Sequence, residues 1–153
     1  MIFLACIFLF SGGLFAQIKP LHPRVNSLVQ KAEMPVAVLD SETNALLQKL
    51  EGEFRDGARN IAEEFVVASV SLSIPGIEPG IVSKNQARVI LQDFFTQRAT
   101  VDVSFSRRGL SQGNPFATGK LSMLSRGAKE SFQIYVSLAK TDGSWFLAQL
   151  NIY

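Results

Sequence analysis

The chain has 153 residues, 47% of them hydrophobic, with twelve Phe, one Cys, one His and a formal net charge of +2. This size and low charge fit one globular domain and exclude a disordered polyelectrolyte. One Cys and one His exclude a zinc cluster or a disulfide framework, and the absence of a long basic run argues against a nucleic-acid arm.

Residues 1–16, MIFLACIFLFSGGLFA, carry no charge and are mostly apolar. A membrane-spanning helix needs about 20 apolar residues, so this stretch reads as the apolar core of a signal peptide cut after Ala16. The expected product is exported, periplasmic or extracellular, with no stable membrane insertion after cleavage. It retains no Cys, because Cys6 leaves with the signal, and so needs no redox partner to fold. Residues 17–39 hold Pro20, Pro23 and Pro35 without a sustained period and read as a linker or N-terminal arm. The lone His22 falls inside it, with no second ligand or nucleophile beside it.

The domain proper is expected over residues 40–153. Leu46, Leu47, Leu50 and Phe54 form one helical stripe, with Asp40 or Ser41 as cap and Asp56-Gly57 as stop. Ala58, Ile61, Ala62 and Phe65 mark a second, shorter helix. The period changes to two at Ser69, where Val70, Leu72 and Ile74 alternate with serines in a half-buried strand. Residues 77–82 read as a Pro- and Gly-containing connection. Ser83 and Gln86 then form a capping-box pair ahead of a helix whose stripe is Ala87, Ile90, Leu91, Phe94 and Phe95.

Four alternating segments follow. Their expected helix-facing residues are Val101, Val103 and Phe105; Ala117, Gly119, Leu121 and Met123; Phe132, Ile134, Val136 and Leu138; and Phe146, Ala148, Leu150 and Ile152. At the last turn, the apolar pattern favours a three-residue loop, Thr141 to Gly143, pairing Leu138 with Phe146 and Val136 with Ala148. The expected fold is α+β, in the order ααβαββββ, with helices packed on one face of a curved antiparallel sheet.

This order resembles the cystatin-like, nuclear-transport-factor-2-like superfamily of cone-shaped domains. Val70 to Gly76 (VSLSIPG), Ser83 to Phe95 (SKNQARVILQDFF) and Thr141 to Ile152 (TDGSWFLAQLNI) carry a closer resemblance to the exported bacterial family of domain of unknown function 4783. The resemblance implies the fold and no activity, since this fold hosts many functions. Superfamily enzymes place Tyr, Asp or His side chains inside the cone, because proton transfer needs a titratable group beside the substrate. None of the expected inward positions here can titrate, and no catalytic residue, metal ligand or cofactor is assigned. Asp102 is expected on the other face, and Glu63 and Glu64 near the cone mouth are the remaining acids.

Two sites are expected. Val103, Phe105, Leu121, Ile134, Val136 and Leu150 would line an apolar cone able to take a small apolar ligand. Tyr135, Trp145, Leu147, Gln149 and Asn151 would share the outer sheet face, a mixture of aromatic and hydrogen-bonding groups suited to a protein partner or a homodimer, or equally to cover by a helix or the arm, residues 17–39, of the same chain. The functional expectation is an exported non-catalytic binding module. The alternative is a small isomerase- or hydratase-like enzyme whose acid or base comes from helices or loops.

Overall fold

The computed structural model describes residues 39–153; the predicted signal peptide and nearly all of the predicted arm, His22 included, lie outside them. Asp40 caps α1 (Ser41–Arg55), its carboxylate accepting the Thr43 N–H at 2.7 Å. That hydrogen bond, with the nearby Lys140 ammonium, holds the Asp40 pKa below its ordinary 3.8. The helix stops at Asp56, and Gly57 turns the chain with φ of 86°. The short α2 (Ile61–Phe65) buries Ile61, Ala62 and Phe65. β1 (Ser69–Ser73) follows, then β2 (Gly80–Ser83), α3 (Lys84–Thr96), β3 (Ala99–Ser111), β4 (Asn114–Ser125), β5 (Ala128–Thr141) and β6 (Ser144–Ile152). The Ser83–Gln86 capping box is present at the start of α3.

The six strands form one open sheet in the order β2-β1-β6-β5-β4-β3. All neighbours are antiparallel except β1 and β6, which run parallel. The three helices pack on the inner face of this sheet, giving the α+β architecture expected from the sequence. β2 is an addition, occupying part of the stretch read as a connection. It is four residues long, lies at the edge and leaves Ile81 80% exposed, so neither alternation nor burial marks it in the sequence.

β3 through β6 are joined by two-residue turns at Gln112-Gly113, Arg126-Gly127 and Asp142-Gly143. At each, both residues have positive φ, 50–52° and then 81–83°. Those angles define the turn whose twist matches that of the flanking strands. The expected three-residue loop at the last turn is therefore corrected. Leu138 pairs with Leu147 and Val136 with Leu150, with Ala148 as an extra residue in a bulge between them. The bulge reconciles two local demands: the short turn starts the register, and the bulge shifts it so that Leu150 and Ile152 still face inward. Phe146 accordingly lies on the outer face and not toward the helices.

Similar irregularities interrupt β3 at Val101 and Ser106. Val101, expected to face the helices, is the extra residue at the first and is 52% exposed. The second changes the phase of the strand, so that Arg107 takes the outer face and Arg108 the inner. Arg108 there reaches α1, where its guanidinium donates to Asn44 Oδ1 at 2.9 Å and to the Glu51 carboxylate.

Candidate interaction face

The interior is mostly hydrocarbon, with Thr43 buried in it and the part-buried Arg108–Asn44–Glu51 group at its α1 side. Val103, Leu121, Val136 and Leu150 are fully buried and Ile134 is nearly so. They join a single cluster with Leu47, Leu50, Phe54 and Leu91 from the helices. Phe105 packs edge-on against Phe54, with ring centroids 6.4 Å apart, and Phe132 against Phe94 at 6.2 Å. The six residues expected to line a ligand cavity thus lie together in the packed core, and helical side chains hold the space facing them.

The acids considered from sequence lie elsewhere. Glu63 Oε2 meets Lys84 Nζ at 3.3 Å, and Glu63 Oε1 lies 3.6 Å from Arg88 Nε. Glu64 bonds Lys49, whose ammonium pKa it raises. Asp102 is exposed and pairs across the sheet with Ser122, on the face away from the helices. Among the described residues, no three His, Cys, Asp or Glu side chains gather as a metal site, and no helix is long and apolar enough to cross a membrane.

The predicted partner surface is partly reassembled. Tyr135, Gln149 and Asn151 do share the outer face: Tyr135 pairs with Asn151, Ser137 with Gln149, and the Gln149 amide donates to Asn151 Oδ1 at 3.2 Å. Trp145 and Leu147 do not. The two-residue turn and the bulge at Ala148 reverse their side, so Leu147 is 2% exposed in the core and Trp145 packs against that core. Lys140 pairs with Trp145 across the hairpin and sets its ammonium 5.4 Å from the ring centroid.

Two residues missed from sequence replace them. Phe116 stacks on Tyr135 with centroids 6.2 Å apart and planes 20° from parallel, and Arg107 lies 5.7 Å from the Phe116 ring centroid. The stack forms because Phe116 and Tyr135 are diagonal neighbours on β4 and β5, within aromatic reach across a strand pair. Gly109, opposite Phe116, makes room for the ring: a Cβ there would stand 3.1 Å from it. Arg107, Phe116, Tyr135 and Asn151 therefore cross four strands as one band. Ser71, Ser73, Ser137 and Thr118 surround it, all half-buried. No described element packs over this band. An Arg on an aromatic pair beside amides and hydroxyls supplies apolar area, a cation and directional hydrogen bonds, the composition of a protein interface.

The fold has close structural counterparts. A crystal structure of a DUF4783 family protein from Bacteroides uniformis superposes with a TM-score of 0.61 at 17% identity, covering 69% of this chain and 93% of that one. One from Bacteroides ovatus gives 0.57 at 19% identity, covering 67% and 89%. An NTF2-like protein from Cytophaga hutchinsonii gives 0.54 at 13% identity, covering 74% and 98%. No curated relative matches the chain. The family model of the domain of unknown function DUF4783 matches residues 47–153, spanning the inner core and the outer band alike, and the chain belongs to that family.

Proposed function

We propose that this protein is an exported, non-catalytic binding module whose working surface is the outer sheet face, where it pairs with a second copy of itself. The observation that carries the reading is the Arg107–Phe116–Tyr135 band, over which none of the described elements packs, set against a core built mainly of packed hydrocarbon. A half-exposed aromatic stack flanked by Gln149 and Asn151 gains more from docking against another face than from solvent. Export rests on the uncharged apolar residues 1–16, whose pattern is that of a signal-peptide core.

Sedimentation velocity across a concentration series tests the pairing. Wild type is expected to dimerise, and Tyr135→Ala to weaken the dimer by about tenfold or more, the loss typical of a central aromatic anchor. Trp145→Ala, on the helix side, is expected to leave association unchanged while lowering the melting temperature. A wild type that stays monomeric, or a Tyr135→Ala variant that associates as wild type does, sinks the proposal.

A further inference from the structure

A second surface feature lies away from the outer band, where the end of α1, the turn after it, the α3 helix and the start of β3 meet. These segments enclose an open basin of about 760 Å³, a volume within the usual range for small-molecule sites. Three guanidinium groups border it, each from a different segment: Arg55 from the last turn of α1, Arg59 from the following turn and Arg88 from α3. Asp56 is the only carboxylate among its bordering residues. Gln92 and Thr96 offer hydrogen bonds along the same α3 face as Arg88, and Ala99 with the edge of the largely buried Phe95 supply the apolar part of the lining.

The arginines are incompletely used by the protein. Arg55 donates to the Val103 carbonyl at 3.1 Å, but its nearest carboxylate oxygen, on Glu51, is 3.6 Å away, beyond hydrogen-bonding distance. Arg88 stands 3.6 Å from Glu63, a carboxylate it shares with Lys84. Arg59 makes no ion pair among the described residues. Thr100, on the β3 side of the basin, has a buried Oγ1 with no hydrogen-bond partner among the described residues. Planar guanidinium forks match the two oxygens of a carboxylate or the oxygens of a phosphate, and three of them around one concavity favour a multiply charged ligand.

We propose that this basin binds a small soluble organic anion whose carboxylate or phosphate oxygens engage Arg55, Arg59 and Arg88, with its carbon skeleton against Phe95 and Ala99. Because the site uses none of the outer band, it stands or falls separately from dimerisation.

Amide NMR and calorimetric titration of the full chain with citrate and, separately, with inorganic phosphate test it, alongside sedimentation with phosphatidylglycerol vesicles. Saturable shifts confined to residues around Arg59, Arg88, Gln92 and Thr100 are expected. The Arg59→Gln/Arg88→Gln double variant is expected to lose affinity about tenfold or more, with its melting temperature near wild type. Asp56→Asn, which removes the basin's carboxylate, is expected to tighten binding. No saturable shift with either anion, equal binding by wild type and the double variant, or association with vesicles alone would overturn the proposal.

Discussion

Gly119→Ala is expected to destabilise the protein more than any other methyl-sized addition in the sheet. A Cβ on Gly119 would lie 2.0 Å from the Ser104 carbonyl oxygen, 2.8 Å from its carbon and 2.9 Å from Phe105 Cα. These are backbone atoms of the neighbouring strand, so no side-chain rotation relieves the overlap; β3 and β4 must separate where Phe105 pairs with Gly119. Overpacking a core costs about 1–3 kcal/mol where side chains can yield. Here the effect is expected at about 3 kcal/mol or above, a large share of the roughly 5–15 kcal/mol that holds a domain together. Urea unfolding followed by circular dichroism measures it. Gly52→Ala provides the comparison, because Gly52 lies inside α1 with nothing within 4 Å of its added Cβ. There the same change is expected to stabilise by about 0.5–1 kcal/mol, through helix propensity. Two glycine-to-alanine substitutions of opposite sign would show that close strand approach, and not backbone freedom, fixes Gly119.

Phe54→Ala is expected to cost about 3–5 kcal/mol, the range for deleting a fully buried aromatic ring. Phe54 has no exposed surface, and its ring meets Phe95 of α3 at 6.1 Å and Phe105 of β3 at 6.4 Å. One side chain thus joins the first helix, the last helix and the sheet, and neighbours anchored in three elements cannot easily collapse into the cavity. Val89→Ala, at a position 51% exposed, is expected to change stability by no more than about 0.5 kcal/mol. Equal effects of the two substitutions on the urea midpoint would contradict the placement of the core.

Much of this core was legible in the sequence because local signals agreed with one another. The α1 segment combines the Asp40 cap, the stripe ending at Phe54 and the Asp56-Gly57 stop; α3 combines the Ser83–Gln86 box with its stripe; β1 shows its serine alternation. What escaped depended on partners distant in the chain. Nothing in GIVS distinguishes an edge strand from a loop until β1 lies beside it. An extra residue such as Ala148 is visible only when the opposing strand is counted against it, and that single residue decides which side of the sheet Trp145 occupies. On the outer face, Tyr135, Gln149 and Asn151 obey simple alternation, whereas Arg107 reaches that face only through the irregularity at Ser106. The basin draws Arg55, Arg59, Arg88 and Thr100 from four segments of the chain, a convergence that no local spacing announces.

The central claim is that the chain works through its outer sheet face while its interior serves only to hold that face. Concentration-dependent amide and aromatic NMR spectra of the wild-type chain test this most directly. The expected result is that signals of Arg107, Phe116, Tyr135 and Gln149 shift and broaden together as the chain is concentrated, while those of Leu121, Val136 and Leu150 stay fixed. Outer-face signals that remain unchanged at all concentrations, or shifts centred on the core residues, would contradict it.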